Sequence, residues 1–193
     1  MLTPLTEEDR DLILPWRNAP EVRRAMYSQH EITEEEHRAW FAKMRADSTR
    51  EWFLYRDEGG VPQGVVYLFD WNRDHGTAFW GFYAQPKAPP GTGLFMEEDL
   101  LRYAFEDLRL HKLCCEVLAS NWQVVNLHEM VGCKKEGVLR QQFWNGQEFV
   151  DIVRFGVLQD EWPSVRDYLF GRLEKLRSIR KGKDQSTPPP KLS

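Results

Sequence analysis

The sequence of 193 residues predicts a single α/β domain in which strands and amphipathic helices follow one another along the chain. Two observations support this class. Short runs rich in aromatic and β-branched residues recur between stretches with helical periodicity. Length and composition are those of one ordinary globular domain, with 41% hydrophobic and 29% charged residues.

Composition also excludes several classes of protein. No apolar run approaches the roughly 20 residues that span a bilayer, and the N-terminus lacks a basic segment followed by an apolar one. We therefore expect a cytoplasmic protein with no membrane partner. The formal net charge of -4 argues against a nucleic-acid partner. Three cysteines, including the adjacent Cys114 and Cys115, lack the spacing of a disulfide framework or a zinc motif, so no metal is expected.

The first 50 residues predict one short strand and two helices. Leu2 to Leu5 is the strand. Thr6, followed by three acidic residues, has the pattern of a helix N-cap. A second helix is predicted from Thr33, with glutamates in its first turn. Apolar residues at helical spacing continue the two helices: Leu12, Ile13, Trp16, Trp40, Phe41 and Met44.

Strand-like runs dominate the middle of the chain. The segments 51–56 and 62–69 are joined by Asp-Glu-Gly-Gly and predict a hairpin. Further strands are predicted at 77–84 and 113–118. The two cysteines of the last strand should face opposite sides, because side chains alternate along a strand.

Three helices and a tail are predicted in the second half. Amphipathic periodicity indicates helices at 94–108, 123–131 and 161–181. The basic residues at the end of the last helix are expected to be solvated there. The segment 182–193 contains Pro188-Pro189-Pro190 and few apolar residues, so we expect a disordered tail after a domain spanning 1–181.

A second hairpin is predicted before the last helix. Its strands, 138–144 and 148–158, flank Asn145-Gly146, the strongest short hairpin signal in the chain. The preceding segment, 132–137, is predicted to be a turn.

The most informative unit is a strand, a glycine-bearing loop and a helix. The loop, 85–93, brings Gly91 and Gly93 to the start of a helix, where unpaired N–H groups and the helix dipole favour a phosphate. Glycine allows positive φ and close backbone approach, and Lys87 adds charge. A tight loop that simply needs small residues is the alternative. The P-loop and Rossmann spacings are absent.

With its downstream context, the loop resembles that of the GNAT acetyltransferases. In that family a loop of the form [Q/R]-x-x-G-x-[G/A] is followed later by an Asn-led helix ending in a phrase like "lYekLGF…eG". Here Gly91 and Gly93 take the two small positions of the loop, and a matching phrase runs from Asn121 to Gly137. Two departures stand out: the Gln/Arg position is Ala88, and the usual Phe is Cys133.

Within this superfamily the chain looks most like the PseH-type aminosugar N-acetyltransferases of pseudaminic acid biosynthesis. The resemblance covers about residues 1–163 and is carried by an N-terminal set of residues that points to a sugar substrate. The set comprises Trp16-Arg17-Asn18, Val22-Arg23, Met26-Tyr27, His37 and Trp40. The C-terminal half also resembles ribosomal-protein acetyltransferases of the RimJ/RimL type.

The resemblance implies a central mixed, twisted sheet flanked by helices, with acetyl-CoA as co-substrate. It implies direct attack on the thioester by the amine at position 4 of a UDP-linked amino-deoxy sugar, a small-molecule partner. A homodimer is compatible with relatives and with the aromatic-rich composition. The implied cofactor-binding residues are Phe82, Tyr83, Ala84, Lys87, Gly91, Thr92, Gly93 and Asn121. The implied substrate-binding residues are Arg17, Met26, Tyr27, His37 and Trp40.

Two residues are candidates for proton transfer. His128 stands where many relatives carry a Tyr that protonates the thiolate, and its ordinary pKa lies near working pH. Glu116 is a carboxylate within an apolar strand and should face water, a pocket or a partner, because unpaired burial is costly. Its expected role is to accept the proton of the substrate ammonium or to bind the amine. A satisfied surface histidine and an exposed strand face are the alternatives.

Several other interpretations remain open at this stage. Met26 and Trp40 also have the spacing of core residues, and Arg17 could pair with a diphosphate. The chain could acetylate protein N-termini, as RimJ/RimL relatives do, or a natural-product amine. It could also be a degenerate domain that binds CoA without catalysis, which Ala88 and Cys133 would favour.

Overall fold

Seven strands form one mixed sheet in the computed structural model, which describes residues 1–184. The strand order is β1-β2-β3-β4-β5-β7-β6. Only β4 and β5 pair in parallel, and all other neighbours are antiparallel. The strands are β1 (Leu2–Pro4), β2 (Glu51–Arg56), β3 (Pro62–Asn72), β4 (Thr77–Ala84), β5 (Lys112–Leu118), β6 (Lys134–Trp144) and β7 (Phe149–Leu158).

Six α-helices flank this sheet within the described residues. The helix predicted from Thr33 is confirmed as α3, and Thr33 caps it: its hydroxyl accepts the Glu36 N–H at 3.2 Å, and the Glu36 carboxylate accepts the Thr33 N–H at 2.8 Å. None of these helices combines the length and apolarity needed to cross a bilayer. The helices are α1 (Arg10–Asn18), α2 (Pro20–Arg23), α3 (Glu34–Ala46), α4 (Thr92–Arg102), α5 (Trp122–Val131) and α6 (Trp162–Asp184).

Strand alternation produces two cores on opposite faces of the sheet. On β2, Leu54 belongs to a core shared with α1, α2 and α3, whereas its neighbour Tyr55 belongs to a core shared with α4 and α6. Val65 and Val66 of β3 divide in the same way. The first 46 residues therefore cover one face, and the glycine-bearing loop and its helix lie on the other. The mixed sheet with flanking helices expected from the resemblance is confirmed.

Several predicted boundaries were wrong. Thr6 is an N-cap as predicted, but the helix it starts is a 3-10 turn (Glu7–Asp9) that leads into α1; the N–H and hydroxyl of Thr6 both donate to the Asp9 carboxylate, at 2.9 and 2.8 Å. The predicted turn 132–137 is largely strand, because β6 starts at Lys134, opposite Gly156 of β7. Exposed, charged side chains hide this strand from a pattern based on hydrophobicity.

The helical boundaries also shift. Helix α4 begins at Thr92, two residues earlier than expected, and a π-helical turn (Tyr103–Asp107) follows it. Helix α6 runs to Asp184, past the expected end of the domain at 181. The rest of the predicted tail, 185–193, lies outside the described residues.

Candidate active site

A cavity of about 640 Å³ lies where β4 and β5 separate. The parallel pairing of these strands is confined to Thr77–Phe79 against Lys112–Cys114. Beyond Phe79, β4 keeps its pairing with β3 but has no paired strand on its other side within residues 1–184. The backbone from 80 to 84 therefore presents hydrogen-bonding groups to the cleft rather than to a neighbouring strand. Such groups could receive a carbonyl oxygen or an extended amide chain.

Aromatic side chains form one wall of the cavity. Trp52 stacks on Tyr67 with ring centroids 4.2 Å apart, and Trp40 meets Trp52 edge-on at 4.8 Å. His37 stacks on Trp40 at 5.3 Å, and its Nε2 donates to the Arg10 carbonyl at 2.8 Å. His37 is thus a fixed part of the wall. Flat apolar faces of this kind suit a sugar ring or a nucleobase.

The Arg17 guanidinium lines the cavity without an acidic partner. Its Nη2 donates to the Ser28 carbonyl at 2.8 Å, whereas Nη1 is buried and has no hydrogen-bond partner within residues 1–184. Burial lowers the pKa of Arg17, and the nearby Arg23 charge lowers it further. A desolvated cation of this kind is stabilised by an anion with two acceptor oxygens.

The carboxylates on the cavity wall, in contrast, all have cationic or histidine neighbours. His30 Nε2 lies 3.3 Å from Glu36, and Arg50 lies 3.9 Å from Asp70. Glu116 has Arg154 at 3.8 Å. Arg17 is therefore the one charged side chain on the wall that has neither an oppositely charged nor a histidine neighbour at ion-pair distance within residues 1–184.

Glu116 projects from β5 into the cavity and is held by two groups. The Tyr27 hydroxyl donates to its Oε2 at 2.9 Å, and Arg154 approaches Oε1. Burial and the Glu116 charge raise the pKa of Tyr27, so this hydroxyl stays a proton donor at neutral pH. Glu116 is about one-quarter exposed, which leaves it accessible to an amine or to a bridging water.

His128 lies on α5 at the inner end of the cavity and is 2% exposed, not a surface residue. Three aromatic rings surround it: Trp80, Phe82 and Phe155. Its Nδ1 is 2.8 Å from Oε1 of Glu97, a fully buried carboxylate on α4. Burial on its own would lower the pKa of His128. The adjacent Glu97 charge outweighs this, with contributions from Cys115 and Cys133, and the pKa lies well above 6.5.

The same cluster is the one group within residues 1–184 whose ligand atoms are close enough for a metal ion. Glu97, His128 and Cys133 each offer one atom, within 4.8 Å of one another. However, 2.8 Å between His128 and Glu97 is a hydrogen-bond distance, and the Cys133 thiol lies 3.7 Å from the same carboxylate oxygen. Burial raises the pKa of Cys133 to about 12, whereas a metal requires the thiolate. Mutual hydrogen bonding accounts for the cluster.

The glycine-bearing loop has the geometry of an anion-binding turn at a helix start. The Thr92 N–H donates to the Pro89 carbonyl at 3.1 Å, and Gly91 between them has φ 82° and ψ 1°. Pro90 followed by a left-handed Gly91 is typical of a type II turn. The first turn of α4 carries no acidic residue, so its N–H groups are free of a competing carboxylate.

Helix α6 packs against this loop. A Cβ placed on Gly91 would lie 2.9 Å from Cδ1 of Leu176. The Arg180 guanidinium donates to the Pro90 carbonyl at 2.8 Å and lies over the Phe95 ring. Arg177 pairs with Glu58 at 2.7 Å. The expectation of a solvated basic helix end is therefore wrong for Arg177 and Arg180, which fasten α6 to the loop and the sheet.

These features, a sheet split between β4 and β5 and a glycine turn entering a helix, agree with the comparison with known families. The model of the acetyltransferase (GNAT) domain matches residues 1–134, more than half of the sequence. The chain belongs to the GNAT acetyltransferase family. It is an acetyltransferase, and acetyl-CoA is its co-substrate.

Two relatives and one solved structure show how this GNAT domain compares with others. The acetyltransferase PseH of Campylobacter jejuni is 30% identical over 128 residues, which are 66% of this chain and 78% of PseH. The spermidine N(1)-acetyltransferase of Vibrio cholerae is 27% identical over 117 residues, 60% of this chain and 68% of that enzyme. The crystal structure of the Vibrio cholerae spermidine N-acetyltransferase with CoA and spermine superposes with a TM-score of 0.78 at 24% identity, covering 84% of this chain and 96% of that one.

The cavity of this GNAT brings together ten of the site residues expected from the sequence. They are Arg17, Met26, Tyr27, His37, Trp40, Phe82, Tyr83, Glu116, Asn121 and His128. Met26 and Trp40 also pack against the core shared with α1–α3, so the cavity and core interpretations both apply. Asn121 precedes α5, but its side chain makes no capping hydrogen bond. The remaining five expected residues lie outside the cavity wall: Ala84, Lys87, Gly91, Thr92 and Gly93.

Sequence reasoning missed Glu97 and the wall residues Trp52 and Tyr67. A signal for Glu97 exists: it follows Leu94 by three residues and precedes Leu101 by four, so helical periodicity places it on the buried face. Its partner, 31 residues away, gives no such signal. Tyr67 lies on the same face of β3 as Val65, but only the fold brings its ring onto Trp52.

Proposed function

We propose that this GNAT transfers an acetyl group from acetyl-CoA to the 4-amino group of a UDP-linked amino-deoxy sugar. The observation that carries the proposal is Arg17, a half-buried cation on the cavity wall whose Nη1 has no partner within residues 1–184. A diphosphate offers the paired oxygens that such a guanidinium binds best. The likeness to PseH over two thirds of the chain supports the same acceptor class.

The cavity wall suits the rest of such an acceptor. Aromatic faces from Trp40, Trp52 and Tyr67 can stack on a sugar or a uracil ring. A volume of about 640 Å³ is within the range of small-molecule sites, roughly 300–1,000 Å³. Because residues 17–40 contribute to the wall, the cavity favours a small acceptor over an extended peptide chain.

A polyamine is the main competing acceptor, in view of the spermidine-acetylating relative. Polyamines carry several positive charges and need unpaired carboxylates. The carboxylates of this cavity all have cationic or histidine neighbours, whereas the Arg17 cation has no such partner within residues 1–184. A polyamine would therefore meet a desolvated like charge, which costs binding energy.

Three groups would perform the transfer. Glu116, held by Tyr27, accepts the proton of the substrate ammonium directly or through water, which makes the amine a nucleophile. Backbone N–H groups of β4, around Phe82 to Ala84, donate to the thioester oxygen as charge develops there. His128 donates a proton to the departing thiolate. Since Nδ1 of His128 is bonded to Glu97, Nε2 is the nitrogen that delivers this proton.

Cofactor binding would use the loop before α4. The N–H groups of the first turn, with Gly91, Thr92 and Gly93, bind the CoA diphosphate, and exposed Lys87 contributes charge. Gly93 allows close packing, because a Cβ there would lie 3.3 Å from the Phe82 ring. Asn121, whose side chain is not used as a cap, can hydrogen-bond the pantetheine arm.

A homodimer stays part of this proposal. Strand β6 forms the edge of the sheet, next to β7, and its Val138 and Trp144 side chains are exposed. Phe149 of β7 is also exposed, and the centroid of its ring lies 5.0 Å from that of Trp144. A second copy would cover this apolar edge. Light scattering should then give twice the mass of the chain, and Trp144→Glu should give monomers. A monomeric wild type would exclude the dimer without affecting the active site.

The acceptor proposal is tested by Arg17→Ala with two acceptors, the UDP-linked amino sugar and the same amino sugar without the nucleotide. We expect the KM of the UDP-sugar to rise on the order of tenfold or more, the value of one charged hydrogen bond. The KM of the free sugar and of acetyl-CoA should not change. Arg24→Ala, which removes an exposed arginine outside the cavity wall, is the matched control. An equal loss with both acceptors would refute a diphosphate contact.

A further inference from the structure

Behind the cavity lies an ion pair that the reaction described so far does not use. Glu97 is fully buried, and Oε1 bonds to His128 at 2.8 Å. Its Oε2 has no hydrogen-bond partner within residues 1–184. A buried carboxylate with an unsatisfied oxygen costs stability, so its presence needs an explanation other than packing.

We infer that Glu97 is the positioning residue of the reaction, which fixes the His128 ring through Nδ1 and keeps it an imidazolium. This inference rests on the proposed role of His128 as proton donor. The negative charge of Glu97 stabilises the protonated ring inside an apolar shell where a histidine alone would be neutral. The Nδ1 bond also sets the ring so that Nε2–H is the proton available to the cleft.

Among residues 1–184, the surroundings of His128 offer no other charge that could do this. The side chains that pack against it from β4 and β7 are aromatic: Trp80, Phe82 and Phe155. Cys115 of β5 and Cys133, just before β6, are the other titratable groups. Burial raises the pKa of Cys133 to about 12, so this thiol is neutral at physiological pH. Glu97 is therefore the group that sets the protonation state.

The sequence provides independent support. The family phrase places a Tyr at position 128 and a Phe at position 133, and this chain departs from the phrase at both. Both replacements, His128 and Cys133, contact the same oxygen of Glu97, at 2.8 and 3.7 Å. A phenol is neutral at working pH and needs no counter-ion, whereas an imidazolium in a buried site does.

Every proton in the proposed protonation of the thiolate is accounted for. The C–S bond of the thioester breaks, the sulfur takes the proton from Nε2, and an S–H bond forms. His128 is then neutral, with its Nδ1–H still bonded to Glu97, which neither gains nor loses a proton in this step. The second proton, which the attacking nitrogen loses as the amide forms, or one from water restores the imidazolium.

The first test measures protonation directly and needs no acceptor. In protein carrying ¹⁵N-labelled histidine, NMR titration follows the ring nitrogens, and the His128 signals among the five histidines are identified by their loss in His128→Gln. Wild-type His128 should titrate well above 6.5, the ordinary value. In Glu97→Gln, which keeps the shape of the side chain but not its charge, the pKa of His128 should be at least about one unit lower than in wild type. A wild-type pKa at or below 6.5 would overturn the inference, whether or not Glu97→Gln folds.

The second test separates positioning from a merely structural role through kinetics. Glu97→Gln should lower kcat on the order of 10- to 100-fold at neutral pH and move the pH profile toward acid. The KM of acetyl-CoA should stay within about twofold, whereas displacement of α4 would raise it, because the start of this helix forms the cofactor loop. Glu97→Asp keeps the charge, so its pH profile should stay near that of wild type although kcat falls.

The neighbouring carboxylate supplies the matched control. Glu98 is on the same helix and faces Arg102 at 3.9 Å, so Glu98→Gln should leave both the NMR titration and the pH profile unchanged. An identical pH profile for wild type and Glu97→Gln would refute the positioning role. If instead His128→Ala retained full turnover while the NMR coupling was present, the proposed proton donor would be wrong and the Glu97 interaction would stand.

Discussion

Gly91→Ala probes the turn that should hold the cofactor, and its cost can be worked out from the backbone. Gly91 has φ 82°, and a left-handed conformation costs an ordinary L-residue about 1–2 kcal/mol. The new methyl group would also lie 2.9 Å from Leu176 Cδ1, the mobile end of a side chain that can withdraw at small cost. For a chain of this size, 1 kcal/mol shifts Tm by about 2–4 °C, so we expect a decrease of roughly 2–8 °C.

Gly60→Ala is the control for backbone strain alone. Gly60 has φ 78°, and a Cβ there would meet nothing within 4 Å. The Tm of both variants, measured from thermal unfolding monitored by circular dichroism, should fall by similar amounts. Only Gly91→Ala should raise the Kd of CoA, on the order of tenfold, in isothermal titration calorimetry, because only this turn would bind the diphosphate. Equal CoA affinity in the two variants would refute a role of the Gly91 turn in cofactor binding.

Three further predictions concern the cavity. His128→Ala should lower kcat, measured by free-thiol release, by about 10²–10³-fold. The affinity for acetyl-CoA, measured by calorimetry, should not change. Unchanged turnover would show that His128 takes no part in the reaction. Tyr27→Phe removes a 2.9 Å hydrogen bond to Glu116 and should lower kcat/KM for the acceptor by about 10- to 100-fold, since a hydrogen bond to a charged group contributes about 1.5–3 kcal/mol. A changed KM for acetyl-CoA would contradict this. Because the folded-state pKa of His128 is raised, its stabilising contribution is complete below 6.5 and is lost as pH rises through the raised value. Urea unfolding from pH 6 to 9 should therefore show a fall in the free energy of unfolding that Glu97→Gln lacks, and parallel curves for the two proteins would be inconsistent with the raised pKa.

Local patterns predicted the elements whose signals are short-range. The strand Thr77–Ala84 and the start of α3 at Thr33 were confirmed, because alternation and helix-start signals depend on neighbouring residues. The hairpin at Asn145-Gly146 was also confirmed, with Gly146 at φ 95°. Strand β6 was missed at its start because exposed residues there owe their structure to pairing with β7.

The arrangement of the site depends on contacts that no local pattern carries. Tyr27 meets Glu116 across 89 residues, and Arg180 reaches the Pro90 carbonyl across 90. Residue types suggested that Glu116 and His128 take part in chemistry. Their partners, which decide charge and orientation, became known only from the fold.

The acceptor itself provides the most direct test of the account. The purified enzyme is incubated with acetyl-CoA and either a UDP-linked 4-amino-deoxy sugar or spermidine, and thiol release is followed while mass spectrometry identifies the product. The account predicts thiol release and a mono-acetylated UDP-sugar, with little or no turnover of spermidine. Acetylation of spermidine with no reaction of the nucleotide sugar would contradict it.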